Sequence, residues 1–450
     1  MENKRILPSC DSFYDFVIKI NDWYGEKVAF KSMDNEWAYH DLYIAVFIAV
    51  SKIETKKTVY CIDVKNPALF FIIFMAVTIS ANIAWLNDKA DSDKYIYISD
   101  DEVNGMLKNG KKIKFECRNA INQVSVVAQS SGTTSISKGV MLSQENILAD
   151  MVAGVREYDY PMGAIYYKVL PYKHLFGLVA DLLGPLYSGG TICYSYDEIN
   201  FFKNLNAFKP THMNLPPIMV MMIEKMLLKS NDLEIVTGGR LKKIMCAGAA
   251  ISRDSQITLK KYGIDVFVAY GLTECSPCIS MNSDTNHKEG SVGKILAGVN
   301  VKIKDNEILV SGNTVMLGYW NNQKATSKVY KDGWLRTGDL GYIDDEGFLF
   351  LTGRKSNLIV FEDGTKLSPE NFECEVNKIL GVNECIVYPY YMNERTFINV
   401  KVVVDGNHNI KIRKEIEKIA RNMQLSSKLR NIEFTNEELK KNTLGKIMRI

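Results

Sequence analysis

The sequence predicts an α/β protein: a large N-terminal domain of parallel sheets flanked by helices, followed by a small C-terminal domain. Up to Lys302, apolar segments rich in β-branched residues alternate with longer stretches of helical spacing, the pattern of parallel strands joined by crossover helices. From Lys302 the texture changes to short strands and turns, NEILVSGN and YIDDEGFLFLTGR, which predict a small antiparallel region. After Arg354 two helical stretches surround short strands, and a tail of that length can fold on its own core.

In chain order, the N-terminal MENKRILPSCDSFYDF lacks the apolar stretch and small-residue cleavage site of a signal peptide, so export is not expected. Buried strands are expected at TVYCIDV (58–64), KYIYIS (94–99), VSVVAQSS (124–131), AIYYKVLP (164–171), GTICYS (190–195), LKKIMCAG (241–248) and DVFVAYG (265–271). The most apolar run, Ala68 to Leu86, is broken by Thr78, Ser80 and Asn82 before it reaches the roughly 20 residues of a membrane span. It reads as a buried helix, and no transmembrane segment is expected. PPIMVMMIEKMLLKS, Pro216 to Ser230, has helical spacing; its methionines suit a core, or the lining of an apolar channel.

A chain of 450 residues exceeds one compact core, and 46% hydrophobic residues suffice to fill two or three units. The net charge of +3, without a long basic block, gives no electrostatic case for nucleic acid as a partner and leaves an anionic small molecule open. Nine cysteines without pairing rhythm predict reduced thiols and a cytoplasmic location. Cys275 and Cys278 form one CxxC with no second pair and no histidine nearby, so a zinc site is not expected.

Ligands of open α/β sheets collect where strands end. Three strand ends carry unusual loops: QSSGTTSISKGV after VSVVA, CAGAAIS after LKKIM, and AYGLTE after DVFV. The first is not a Walker A loop, which would need glycine at Ser137 and Ser or Thr at Gly139, so a P-loop kinase or GTPase is disfavoured. Its backbone N–H groups, hydroxyls and one lysine could still wrap a polyphosphate.

Eight motifs in order, SSGTTSISKGV, PYKHLFG, AGAAIS, YGLTECSP, GYW, DGWLRTGDLGYID, GRKSNLIV with GTKLSPENFE, and LGKIMR, resemble those of the adenylate-forming superfamily of acyl-CoA synthetases, luciferases and peptide-synthetase adenylation domains. The wording is most similar to the fatty acyl-CoA synthetase branch. The resemblance implies a β-barrel-like region beside the parallel sheets, and a division into an adenylation core of 1–353 and a mobile α+β domain of 354–450. It also implies an ATP- and Mg²⁺-dependent acid–thiol ligase of fatty acid metabolism: acyl-AMP forms with release of pyrophosphate, and the acyl group passes to coenzyme A or to the phosphopantetheine of a carrier protein. That reaction sets one anion upon another, so its site must offset charge and align the partners.

By the resemblance, Ser130, Ser131, Gly132, Thr133, Thr134 and Lys138 hold the β- and γ-phosphates. Thr273 contacts the α-phosphate, and Glu274 binds Mg²⁺, which prefers hard oxygen ligands. Tyr270 stacks on adenine beside Gly271, with Gly248 and Ala249 along its edge. Asp339 and Arg354 take the ribose hydroxyls. His174 borders the acyl pocket and thiol tunnel. Lys446 swings in from the small domain to bridge carboxylate and α-phosphate, with Ser356 at the hinge. Peptide-synthetase domains place an aspartate where this chain has Lys173 and His174 among Leu175, Phe176 and Leu178, and an unpaired ammonium is costly in such surroundings, so a fatty or other apolar acid is expected rather than an amino acid. The alternatives are a carrier-protein-loading or aryl-acid ligase, or, given serines at 135, 137 and 356, a degenerate nucleotide-binding homologue.

Overall fold

The computed structural model describes residues 9–54, 57–86, 95–111, 121–130, 138–197, 199–249, 251–393, 395–404, 409–441 and 447–449. The chain divides into two compact units: Met1–Val301 with Val310–Leu335, and Lys302–Leu309 with Arg336–Ile450. Packing defines these units; a hinge at Ser356 is a property of motion and a separate matter.

The first unit contains two sheets. A 6-stranded sheet runs in the order Gly318–Tyr319, Gly139–Ser143, Val124–Gln129, Ile83–Leu86, Val59–Asp63, Ile96–Ser99, parallel from Val124–Gln129 onward. A 9-stranded sheet is parallel through Asp265–Gly271, Lys243–Cys246, His212–Leu215, Ile165–Tyr167, Thr191–Cys193 and Val28–Lys31, with antiparallel strands at both edges. Strands covered on both faces read as near-continuous apolar runs, which is why the sequence reveals most of them.

The apolar run Ala68–Leu86 is not one helix. Pro67–Ile79 is helical and buried at every position, capped by Asn66, whose side chain accepts from Ala68 N and Leu69 N at 2.9 and 3.2 Å. The helix stops at Ser80, Ala81 turns into the left-handed region at φ 62°, and Ile83–Leu86 continues as a strand. Asn82 holds the corner: its Oδ1 accepts from Thr58 N at 2.9 Å and its Nδ2 donates to Glu54 O at 2.7 Å. Among the described residues no helix is long and apolar enough to cross a membrane.

AIYYKVLP forms a strand only over Ile165–Tyr167. Lys168 N still follows the ladder, donating to Cys193 O at 2.8 Å, and only the next two donors, Val169 N and Leu170 N, turn to the buried carboxylate of Asp181, each at 3.2 Å. Pro217–Ser230 is a helix that buries Val220, Ile223 and Leu227 and exposes Met221, Met222 and Leu228 to solvent; Met219 and Met226 pack partly against the core.

The Trp334–Ile343 strand, which enters the second unit at Arg336, turns back there into Leu349–Arg354, antiparallel as expected for the short strands after Lys302. The tail folds around a 3-stranded sheet of Val382–Met392, Arg395–Val404 and Leu429–Thr435, covered by helices Pro369–Val376 and Asn409–Asn422. Phe372, Val376, Ile398, Val400 and Ile416 form its separate core.

Candidate active site

The 9-stranded sheet sets Cys246 beside Val268 in parallel register, so the loops after Lys243–Cys246 and Asp265–Gly271 leave the same edge. Gly248 lies on the first loop at φ 92°, a conformation glycine adopts without strain, with half-buried Ala249 beside it. Tyr270 and Gly271 close the second strand, Tyr270 being buried. A Cβ on Gly271 would stand 1.8 Å from the Pro277 carbonyl oxygen, so only glycine lets the chain pass there. A short turn, Thr273–Cys275, presents Thr273 and Glu274, both half-buried. Its backbone is pinned from outside, since Met316 N donates to Glu274 O at 2.9 Å and Ser276 Oγ to Thr314 O at 2.7 Å.

The antiparallel pair Val124–Gln129 and Gly139–Ser143 carries the hydroxyl-rich loop between its ends. Its mouth is closed by Ser130 N donating to Lys138 O at 3.0 Å and Lys138 N to Ser130 Oγ at 3.4 Å. Ser131, Gly132, Thr133 and Thr134 lie outside the described residues, as do Ser135, Ser137 and Lys446.

Between the turn and the loop stands Tyr319, from the GYW motif, to which sequence reasoning assigned no role. Its hydroxyl donates to Glu274 Oε1 at 2.8 Å, and Lys138 Nζ lies 4.9 Å from its ring centroid. The structure therefore brings Glu274 and Lys138 to one side chain. Among the described residues no group of three metal-ligating side chains occurs. A lone hard-oxygen carboxylate fits a magnesium ion that keeps water and nucleotide oxygens as its other ligands, and does not fit a protein-caged metal.

In the second unit Asp339 and Arg354 face each other in register, Arg354 Nε 2.7 Å from Asp339 Oδ1, with Asp339 buried. Close by, buried Glu307 takes Lys355 Nζ at 2.9 Å and the Arg336 guanidinium. Burial pushes the Glu307 carboxyl up, but the two cations hydrogen-bonded to it more than offset this and hold it below the ordinary value.

His174 is half-buried on the turn before the π-helical Gly177–Leu183 segment; its N–H donates to Pro171 O at 3.1 Å. Leu175 and Leu178 beside it are buried. Lys173 pairs with Asp63 at 3.2 Å. Asp181, in the same stretch, is a carboxylate the sequence did not single out. Burial raises its pKa to about 6 against hydrogen bonds from Val169 N, Asn214 Nδ2 and Leu170 N that favour the charged form.

Solved structures show what class of architecture this is. The chain has the fold of adenylate-forming ligases: it superposes on ATP-bound MatB from Rhodopseudomonas palustris with TM-score 0.84 at 18% identity, covering 97% of each chain. On o-succinylbenzoate coenzyme A synthetase from Bacillus subtilis in complex with AMP the TM-score is 0.79 at 20% identity, over 96% of this chain and 97% of that one. The sequence narrows the class further. Residues 54–320 match the AMP-binding enzyme family, and the chain belongs to that family. It is 32% identical over 278 residues to 4-coumarate–CoA ligase-like 6 of Arabidopsis thaliana, covering 56% of this chain and 48% of that protein. To luciferin 4-monooxygenase of Photuris pensylvanica it is 31% identical over 286 residues, covering 58% and 51%. The chain thus spans about half the length of these two curated relatives.

Proposed function

We propose that this chain is an ATP-dependent acid–thiol ligase that activates an apolar carboxylic acid as acyl-AMP, releases pyrophosphate and passes the acyl group to a thiol. The observation that supports it most is the meeting of Glu274 and Lys138 at Tyr319, which aims a carboxylate and a phosphate-loop cation at one place beside the glycine-lined strand ends. Bound magnesium would supply charge neutralisation between phosphate oxygens, with Glu274 as its protein ligand. Lys138 and the hydroxyls of Ser130, Ser131, Thr133 and Thr134, with the backbone of Gly132, would hold the β- and γ-phosphates, and Thr273 the α-phosphate. Tyr270, Gly271, Gly248 and Ala249 would receive the adenine. Asp339 would accept the ribose hydroxyls, with Arg354 fixing its orientation. Lys446 would offset the charge of the attacking carboxylate and leave by rotation of a domain of 354–450 about Ser356.

An apolar acid is favoured over an amino acid because the two carboxylates described for this stretch, Asp181 and Asp63, are both engaged. Asp181 is enclosed by its own donors, and Asp63 pairs with Lys173 at the surface. An aryl acid is the second reading, favoured by the coumarate-ligase relatives. The thiol is proposed to be coenzyme A, with a carrier-protein arm as the alternative. Cysteines held as thiols rather than disulfides among the described residues suit a reducing, cytoplasmic setting. Exchange of labelled pyrophosphate into ATP, driven by a panel of aliphatic, aryl and amino acids, tests the proposal. Aliphatic or aryl acids should support exchange; preference for an amino acid would overturn the substrate class, and no exchange with any acid would favour the degenerate homologue.

A further inference from the structure

We propose that Tyr319 is a positioning residue that serves both halves of the phosphate site: its hydroxyl orients the Glu274 carboxylate, and its ring face holds the Lys138 ammonium until a triphosphate takes it. This rests on the reading of Glu274 as the metal ligand and Lys138 as a phosphate contact. The backbone around Tyr319 is built for the task. Tyr319 pairs with Val140, one residue beyond Gly139, and Trp320 N donates to Gly139 O at 2.7 Å while Leu317 N donates to Met141 O at 2.9 Å. Three residues earlier, Met316 N holds Glu274 O. One short segment, 316–320, therefore fixes the turn that carries Glu274 and the strand that begins just after Lys138.

The side chain completes the link. Tyr319 is 5% exposed, and Tyr319 N donates to Thr326 Oγ1 at 2.9 Å, so the ring has little freedom to move away. A phenol carries its proton at physiological pH, so the Tyr319 hydroxyl is the donor and the carboxylate the acceptor. A hydrogen bond to a charged acceptor is strong enough to fix which way Glu274 points. The contact of an ammonium with a ring face is weaker and carries no directional donor pairing, so Lys138 can leave it for phosphate oxygens.

The two roles separate by substitution. Tyr319→Phe keeps the ring and removes the hydroxyl; Tyr319→Leu removes both. Each full-length variant is first compared with wild type by thermal unfolding. Two affinities are then measured with α,β-methylene ATP, which cannot release pyrophosphate: that of Mn²⁺ for the protein–nucleotide complex, by water-proton relaxation, and that of metal-free nucleotide, by calorimetry. Tyr319→Phe should weaken Mn²⁺ roughly 10-fold or more and leave metal-free nucleotide within about two-fold. Tyr319→Leu should weaken both. Glu274→Gln should weaken Mn²⁺ at least as much as Tyr319→Phe, and the double variant no further than Glu274→Gln, because the tyrosine acts through the carboxylate. If Glu274→Gln weakens Mn²⁺ and Tyr319→Phe does not, or if the two effects add, Tyr319 has no positioning role while the metal reading stands. If Glu274→Gln leaves Mn²⁺ unchanged, the metal reading itself is wrong. Should Tyr319→Leu fail to fold, Lys138→Gln with Tyr319→Phe replaces it, and metal-free nucleotide affinity then has to fall with the lysine alone.

Discussion

Arg449 lies three residues beyond Lys446, and the structure shows how that end of the chain is held. Its Nη1 and Nη2 reach Glu373 Oε1 and Oε2 at 2.9 and 2.6 Å, Nη1 also donates to Val387 O at 3.1 Å, and Glu370 Oε1 stands 3.4 Å from Nη2. The side chains are 27% exposed for Arg449 and 12% for Glu373, so this is a largely enclosed bidentate pair. Arg449→Ala leaves the Glu373 carboxylate buried with Val387 N as its donor at 2.7 Å. Breaking such a pair costs about 2–4 kcal/mol, toward the lower end because water reaches the arginine side. The cost depends on pH. Burial already raises the Glu373 carboxyl above its ordinary value, with Arg449 the main opposing influence, so removing the arginine raises it further. An acid raised in the folded state favours folding while protonated and loses that contribution as pH climbs through its folded value. The variant should therefore be more damaged at pH 8 than at pH 5. Four tryptophans, at 23, 37, 85 and 320, lie in the first unit, and Trp334 stands at its boundary on the strand that enters the second, so fluorescence read in a Trp334→Phe background reports the first unit alone. Hydrogen exchange of amides in Pro369–Val376 and Arg395–Val404 reports the second, and protection there should fall roughly 30- to 700-fold at pH 8 with fluorescence unfolding unchanged. Adding Glu373→Gln should restore most of the protection. Equal losses at both pH values, or no rescue, would refute the electrostatic account.

Lys446→Ala should nearly abolish acyl-adenylate formation, on the order of 10²–10³-fold or more, yet convert prepared acyl-adenylate plus thiol to thioester near the wild-type rate; equal loss of both half-reactions in a folded variant would rule out the swinging lysine. Asp339→Ala should raise the KM for ATP roughly 10- to 100-fold and leave that for the acid within about two-fold, as expected for a charged ribose contact. Gly271→Ala, which sets a methyl group 1.8 Å from a carbonyl oxygen, should lower both stability and pyrophosphate exchange, read by melting temperature and exchange rate; wild-type behaviour would show that the Pro277 turn yields freely.

Much of this architecture is legible because parallel strands and buried helices leave long apolar signatures. TVYCIDV and DVFVAYG become strands within a residue or so of the expected bounds. The same signal misleads at 68–86, where a buried helix and a buried strand are equally apolar and only Ser80, Ala81 and Asn82 mark the join. His212–Leu215 is a central strand too short and too polar in sequence, HMNL, to announce itself. Asp339 and Arg354 meet across adjacent antiparallel strands, a pairing that their motifs do not announce. Tyr319 could not be read, because its meaning lies in contacts with residues 45 positions before it, at Glu274, and farther still, at Lys138.

Beyond the short strand Ile165–Tyr167 the sheet takes one more N–H group, that of Lys168, and Asp181 then collects those of Val169 and Leu170, so a side chain rather than another strand receives the chain there. The path of the chain beyond Lys168 is consequently held by one side chain. Replacing Asp181 with an apolar residue would free Val169 and Leu170 to seek partners elsewhere and redraw the path toward His174. Lineages descended from such a chain could therefore reshape this stretch without inserting or deleting a residue, and the acidic side chain, costly to keep buried in its charged form, would be the record of which shape selection retained.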